Sequence, residues 1–218
     1  MIVAMDGPAG CGKSTIAKLL SRRLGFLYIN SGNIYRAIAW ASIDREVPLE
    51  APERIVELAR GLSIVYESEG SLRVDGAPLS SELRSAEVDA IVAQVSAIPE
   101  VRDVVNAIVR DTAKGKDAVV EGRDMTTVVF PDAQAKFYID ASVEERARRR
   151  FAQGSSRASF EQILANIRLR DEIDRSKPVG ALKIAPGAVY LDTSGLTIDQ
   201  VYETVNSKIL HLREGHGE

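Results

Sequence analysis

Short apolar runs alternate with stretches of helical periodicity along most of the chain. Five apolar runs have the length and the bounding turns of buried strands: residues 1–6, 26–30, 118–121, 135–140 and 188–192. Helical patterns follow these runs at 13–24, at 34–45, from 142, at 160–174 and from 198. Strands that alternate with helices in this way favour a parallel sheet covered on both faces. The sequence therefore predicts an α/β fold.

One stretch interrupts the alternation. Two β-like runs lie between residues 62 and 75, and Asp75-Gly76 marks a further turn. Two helical patterns follow, at 81–97 and 99–114. We interpret these elements as an insertion that carries a small antiparallel sheet on the substrate side of the core.

The predicted organisation is a single domain. Its core comprises residues 1–31, 113–149 and 160–218, and the insertion spans about 32–112. The run Ala-Gln-Gly-Ser-Ser-Arg-Ala-Ser at 152–159 is small and polar, which is typical of a mobile loop. We therefore expect a short lid at about 150–159.

The glycine-rich turn after the first strand is the strongest chemical signal. Residues 7–14 fit the pattern G-x-x-x-x-G-K-[ST], between a predicted strand and a predicted helix. Glycines let backbone N–H groups turn inward around phosphate oxygens, and the helix N-terminus adds further donors. Lys13 can reach the β- and γ-phosphates of ATP, and the Ser14 hydroxyl can ligate Mg²⁺. The predicted nucleotide-binding residues of this segment are Gly7, Pro8, Ala9, Gly10, Cys11, Gly12, Lys13, Ser14 and Thr15.

This P-loop pattern predicts nucleotide binding, which several classes of protein share. The chain lacks the N-K-x-D motif with which GTPases specify guanine, and 218 residues are few for a motor ATPase. A small nucleotide or metabolite kinase is the class that fits best. A non-catalytic nucleotide-binding regulator is the alternative from a different class.

Composition narrows the possible partners. The formal net charge of −3 gives no indication of nucleic-acid binding. No apolar run approaches the length of a membrane span, and no signal-peptide pattern precedes the first strand. We therefore expect a cytoplasmic protein that contacts neither nucleic acid nor membrane.

Two longer motifs resemble the bacterial cytidylate kinases. Ser31-Gly32-Asn33-Ile34-Tyr35-Arg36 is similar to the S-G-x-x-Y-R signature of that family. Residues 122–133 resemble its G-R-D-x-x-T-x-V-F-P-D-A stretch. The resemblance extends from the first strand to about Leu196, and it implies a P-loop kinase fold, phosphoryl transfer from ATP·Mg²⁺ to CMP and dCMP, and a monomer.

The resemblance also implies roles for particular residues. The CMP-binding residues would be Ser31, Arg36, Arg102, Arg123, Asp124, Arg170 and Asp174. The residues that stabilise the migrating phosphoryl group would be Lys13, Arg123, Arg149 and Arg170. Carboxylates suit cytosine because its exocyclic amino group is a donor where uracil has an acceptor.

A basic cluster precedes the predicted lid. Residues 144–150 read Glu-Glu-Arg-Ala-Arg-Arg-Arg, in which i,i+4 pairs such as Glu145–Arg149 are expected on a solvated helix face. We interpret Arg146, Arg149 and Arg150, together with Arg157, as lid arginines that close on the triphosphate of ATP. Arg148 is interpreted as a surface charge.

The chain departs from the family pattern at a few positions. Ala93 stands where a serine is common, and Lys177 stands where the family usually carries another arginine. A lysine keeps the charge but loses the bidentate fork. A kinase of UMP or of a non-nucleotide metabolite is the alternative enzyme.

Overall fold

The computed structural model describes residues 1–67, 71–153 and 158–214. The chain divides into two compact units, one formed by Met1–Phe26 and Asp117–Glu218, the other by Leu27–Lys116. The second unit contains the predicted insertion at 32–112, whose role as the substrate-binding part stays a prediction. Within the described ranges, no helix has both the length and the apolar character needed to cross a membrane.

Four parallel strands form the sheet of the first unit. They lie in the order β6-β1-β7-β8, and their bounds are Ile2–Asp6 for β1, Ala118–Gly122 for β6, Ala135–Asp140 for β7 and Val189–Asp192 for β8. Asp6 pairs with Gly122 and with Tyr138, so β1, β6 and β7 end at one edge of the sheet. In parallel α/β sheets this carboxyl edge is where ligands bind.

Helices flank this sheet. The helices of the first unit are α1 at Lys13–Leu24, α6 at Val143–Ala152, α7 at Phe160–Ser176 and α8 at Ile198–Glu214. Helix α1 packs on β1, β6 and α8, whereas α8 packs on β7. Helix α7 begins with a capping box, because Ser159 accepts from the Gln162 N–H and Gln162 accepts from the Ser159 N–H. The predicted α/β class with a parallel sheet and flanking helices is confirmed.

The second unit is built around a central helix. Its elements are β2 at Leu27–Asn30, α2 at Ser31–Asp44, α3 at Pro52–Gly61, α4 at Ala86–Val95 and α5 at Pro99–Ala113. Helix α2 packs against each of the other three helices. Helix α2 begins three residues before the predicted start at residue 34, and α3 was not predicted.

A three-stranded antiparallel sheet completes the second unit. The strands β3 at Ile64–Tyr66, β4 at Leu72–Val74 and β5 at Ala77–Leu79 lie in that order. The Asp75-Gly76 turn joins β4 to β5 with positive φ at both residues, as a tight hairpin requires. The small antiparallel sheet is confirmed, but its third strand was not predicted. Pro78 lies in that strand, which is at the edge of the sheet, where proline is tolerated.

The predicted helix at 81–97 is wrong as a single element. A 3-10 helix at Glu82–Arg84 ends at Ser85, and α4 begins after it. The Ser85 side chain accepts the Val88 N–H at 3.2 Å, so this serine caps a new helix. A π-helix at Met125–Val129 was also not predicted.

Candidate active site

The glycine-rich loop between β1 and α1 adopts backbone angles that favour glycine. Gly7, Gly10 and Gly12 have φ values of +149°, +81° and +97°. A Cβ atom on Gly7 would lie 1.9 Å from the backbone oxygen of Ile139 in β7. The loop is therefore packed directly on the sheet at Gly7, and no side chain fits there.

The Lys13 side chain folds back on the loop and bridges two of its carbonyl oxygens. Its ammonium is buried and donates to the carbonyl oxygens of Gly7 and Pro8, both at 2.7 Å. Burial lowers the pKa of Lys13 from its ordinary value. A phosphate anion in the loop would compete with these carbonyls for the ammonium and would favour its charged form.

Asp6 ends β1 and binds the segment that follows β6. Its carboxylate accepts the Met125 N–H at 2.8 Å, the Thr126 N–H at 2.7 Å and the Thr126 hydroxyl at 2.6 Å. Burial raises the pKa of Asp6, although these three donors act in the opposite direction. Sequence analysis did not single out Asp6, and the signal was an acid directly before the glycine loop.

Glu121 is a second acid that sequence analysis missed. It lies in β6 and is buried, and its Oε2 accepts the Ser14 hydroxyl at 3.0 Å. A hydroxyl beside a carboxylate is a pair of hard oxygen donors, which suits Mg²⁺. The signal for Glu121 was its place directly before Gly122-Arg123, at the carboxyl end of a predicted strand.

Arg123 and Asp174, two predicted site residues that lie 51 positions apart in the chain, contact each other. Arg123 Nε donates to Asp174 Oδ2 at 2.7 Å, and Lys177 Nζ donates to Asp174 Oδ1 at 2.9 Å. Burial alone would raise the pKa of Asp174, but the charges of Arg123 and Lys177 hold it well below its ordinary value. Asp124, the next residue after Arg123, is also buried.

The predicted lid arginines differ in their surroundings. Arg146 is 1% exposed and binds Asp171 with two hydrogen bonds, of 3.0 and 2.5 Å. It also donates to Ala9 O of the glycine loop at 3.2 Å and to Ala141 O at 3.0 Å. In this structure its guanidinium therefore holds α6, α7 and the loop together.

Arg149 is half-buried beside the loop. Its Nη1 lies 3.7 Å from the position that a Cβ atom on Gly12 would occupy, and its Nε donates to Glu145 at 2.9 Å, as the i,i+4 spacing predicted. Arg150 is exposed, and Arg170 is half-buried on α7. Arg157 lies outside the described residues.

Three predicted CMP-binding residues belong to the second unit. Ser31 is buried at the start of α2. Arg36 is buried on the same helix and donates to Leu83 O at 2.8 Å and to Asp89 Oδ1 at 2.6 Å. Arg102 is buried on α5 and donates to Ser96 O at 3.1 Å. Their part in substrate binding stays a prediction.

The chain matches known proteins over nearly its whole length. A family model described as cytidylate kinase matches residues 3–211. The cytidylate kinase of Caldanaerobacter subterraneus subsp. tengcongensis is 43% identical over 216 residues, which cover 98% of this chain and 96% of that protein. The cytidylate kinase of Vibrio cholerae is 42% identical over 208 residues, which cover 93% and 92% of the two chains.

One solved structure is similar to this chain in its fold alone. The crystal structure of an uncharacterized protein from Eubacterium ventriosum superposes with a TM-score of 0.54 at 11% identity, over 96% of this chain and 98% of that one.

The paired cations around Asp174 lead to a pH-dependent prediction. Asp174→Asn would leave Arg123 and Lys177 without their counter-charge and should lower the free energy of unfolding by about 3 kcal/mol at pH 7. A depressed folded-state pKa stabilises the protein above the ordinary value of 3.8 and loses that effect as pH falls below it. The difference between wild type and variant should therefore shrink by about 1 kcal/mol at pH 3.

Urea unfolding of both proteins between pH 7 and pH 3 measures this difference. Glu203→Gln, which removes an exposed charge from α8, is the matched control. A difference in the free energy of unfolding between wild type and Asp174→Asn that stays constant from pH 7 to pH 3 would contradict the lowered pKa of Asp174.

Proposed function

The chain belongs to the cytidylate kinase family and is an enzyme that phosphorylates CMP, and on that premise we propose that it transfers the γ-phosphoryl group of ATP directly to CMP and dCMP. The attacking group is an oxygen of the CMP phosphate, and the leaving group is ADP. The transfer is in line and forms no covalent intermediate with the protein.

One observation carries the ATP side of this proposal. The buried Lys13 ammonium lies inside a loop of left-handed glycines, at the carboxyl edge of a parallel sheet. Such a loop turns backbone N–H groups toward an anion, and the N-terminus of α1 adds its dipole. The triphosphate of ATP is the ligand that this arrangement fits, with Lys13 on its β- and γ-phosphates.

The catalytic contribution of the protein is electrostatic. Lys13, Arg123, Arg149 and Arg170 would stabilise the charge that spreads over the migrating phosphoryl group. For Arg149, this role is supported by the position of its guanidinium beside Gly12 of the loop. The nucleophile is already a phosphate oxygen, so no general base is needed.

We propose that Arg123, Asp124, Arg170 and Asp174 hold CMP, with Ser31, Arg36 and Arg102 of the second unit as further CMP-binding residues. Arginines suit the CMP phosphate because their fork matches two oxygens. Asp124 and Asp174 suit the cytosine amino group and the ribose hydroxyls, which are donors. UMP would place an acceptor against a buried carboxylate, which is costly.

The pairing of Asp174 with two cations bears on this role. Arg123 and Lys177 keep the carboxylate ionised, so it accepts hydrogen bonds and never offers one. Each carboxylate oxygen has a further lone pair for a donor of the substrate. Lys177, which stands where the family pattern has an arginine, acts on Asp174 as a point charge.

We assign ATP contacts also to Arg146, Arg150 and Arg157. Arg146 supports the loop through Ala9 O. Closure of these arginines over the triphosphate would exclude water, which otherwise competes with CMP for the phosphoryl group.

Mg²⁺ is the proposed metal, held by Ser14 with Glu121 beside it. The oxygen donors of the two side chains fit this ion, and they lie 3.0 Å apart. Asp6 is the other acid at this edge, but Met125 and Thr126 occupy both of its oxygens. When bound, Mg²⁺ would neutralise phosphate oxygens of ATP.

The cytoplasmic location, the monomeric state and the absence of nucleic-acid partners stay predictions from the sequence. A nucleotide-binding regulator would bind ATP without turnover, and a UMP kinase would prefer UMP. Both alternatives are separated from the proposal by one experiment.

We expect the enzyme to release ADP rapidly with CMP and dCMP and slowly with UMP, AMP and GMP. The physical reason is that a site built for the cytosine amino group leaves a buried acceptor unpaired with uracil, whereas adenine and guanine would bring a second ring into a site for one. A coupled ADP-release assay with ATP·Mg²⁺ and the five acceptors in parallel measures this preference. Equal turnover with UMP and CMP would remove the specificity assignment, and ATP binding without turnover on any acceptor would favour the regulator.

Asp124→Ala should reduce kcat/KM for CMP by about 100-fold, because a buried charged hydrogen bond to the acceptor is lost. The Kd for ATP should change little, since Asp124 is assigned to the acceptor. Steady-state kinetics and calorimetric titration with a non-hydrolysable ATP analogue measure the two quantities. Asp199→Ala, at an exposed position in the first turn of α8, is the control. A comparable loss of ATP affinity would place Asp124 on the wrong substrate.

Glu121→Gln should raise the Mg²⁺ concentration that gives half-maximal activity by about tenfold, because the carboxylate charge beside Ser14 is removed. Calorimetric binding of ADP with and without Mg²⁺ gives a second readout, in which only the binding with metal should weaken. Glu203→Gln controls for the loss of a carboxylate elsewhere. A Mg²⁺ profile that superposes on that of the wild type would rule out this role of Glu121.

A further inference from the structure

Thr193 is a buried polar residue that no motif indicated. It directly follows β8 and is 3% exposed. Its N–H donates to the Asp140 carbonyl at 2.8 Å, which fixes the chain where β8 leaves the sheet next to β7.

The Thr193 hydroxyl contacts the phosphate-binding loop. Its Oγ1 lies 3.0 Å from Cys11 O and 2.9 Å from Asp140 O. Each carbonyl has two lone pairs, so the single hydroxyl hydrogen can be donated to either oxygen. Through its contact with Cys11 O the hydroxyl ties the loop to the end of β8, 182 residues further along the chain.

The same hydroxyl holds Arg149. Arg149 Nη1 donates to Thr193 Oγ1 at 3.1 Å, and Arg149 Nη2 donates to the Thr193 carbonyl at 2.7 Å. With the bond from Nε to Glu145 and a longer one from Nη1 to Cys11 O at 3.4 Å, all three guanidinium nitrogens are engaged. A guanidinium has five N–H groups, and contacts with the described residues use four of them.

We propose that Thr193 is a positioning residue of the kinase, which sets the place of Arg149 over the phosphate-binding loop. Its hydroxyl contacts Cys11 O and accepts from the arginine. One atom thus couples the loop to the guanidinium that stabilises the migrating phosphoryl group. This inference rests on the proposed role of Arg149.

A positioning role differs from a structural one in what it makes the enzyme lose. Preorganised donors stabilise a transition state because they need no rearrangement at the moment of transfer. Without the hydroxyl contact, Arg149 would still be charged and would keep its bonds to Glu145 and the Thr193 carbonyl, but its Nη1 would be held less firmly over the loop and would reach the triphosphate less often. The loss should therefore appear in kcat/KM for ATP, and it should require Arg149.

The test is a double-mutant cycle with five variants. Thr193→Val is isosteric and removes the hydroxyl, Thr193→Ala removes it without placing a methyl group against Cys11 O, and Thr193→Ser retains it. Arg149→Met and the combination of Arg149→Met with Thr193→Val complete the cycle. Steady-state kinetics are measured for ATP and for CMP, and thermal unfolding is recorded for each variant. Thr193→Ala replaces Thr193→Val in the cycle if the latter does not fold.

We expect Thr193→Val and Thr193→Ala to reduce kcat/KM for ATP by about tenfold, since each removes a hydrogen bond to a charged group. Thr193→Ser should stay within about twofold of the wild type because the hydroxyl is kept. The double variant should match Arg149→Met alone, because two residues that act as a unit are not additive.

Each other outcome is decisive. Effects that multiply in the double variant, or a Thr193→Ser enzyme as slow as Thr193→Val, would overturn the positioning role of Thr193. An Arg149→Met enzyme with unchanged kcat/KM would instead refute the proposed function of Arg149, and with it the basis of the inference.

Discussion

The phosphate-binding loop imposes one requirement on its surroundings: its carbonyl oxygens need donors. A loop whose N–H groups serve an anion leaves its carbonyls to be paired by other groups, and buried carbonyls are costly when unpaired. Lys13 takes the Gly7 and Pro8 carbonyls, Arg146 takes that of Ala9, and Thr193 takes that of Cys11. The cationic and hydroxyl groups around the nucleotide site are therefore also the groups that keep the loop in shape.

The polar residues at the carboxyl ends of β1 and β6 bind different partners. Asp6 at the end of β1 is committed to backbone and hydroxyl donors and fixes the segment after β6. Glu121, one strand away, keeps contact with the loop through Ser14. Arg123 follows in the same strand end and pairs with Asp174 of α7. Asp6, Glu121 and Arg123 lie close together because β1 pairs with β6. They have different roles because each side chain is hydrogen-bonded to a different partner.

Much of the fold could be predicted from the sequence, because buried parallel strands and amphipathic helices leave strong periodic signals. The glycine loop was equally legible, since its angles restrict residue type. The misses have local physical causes: Ser85 caps a helix inside a helical pattern, and Pro78 conceals an edge strand. Thr193 and Asp6 bind mostly backbone groups, and such contacts leave no side-chain motif in the sequence. Arg123 and Asp174 were predicted to belong to the same site, but their direct contact was not predicted.

The burial of the Arg146–Asp171 pair has a consequence for the enzyme's response to its medium. Dissolved ions screen charges that water surrounds, over a Debye length of about 8 Å at physiological ionic strength, but they act weakly on a pair enclosed by protein. Arg146 and Asp171 are 1% and 6% exposed at their side chains, whereas Arg150 is exposed on the same helix. The attachment of α7 to the loop is thus insulated from salt, so ionic strength should tune the attraction of the polyanionic nucleotide while the scaffold that receives it stays unchanged.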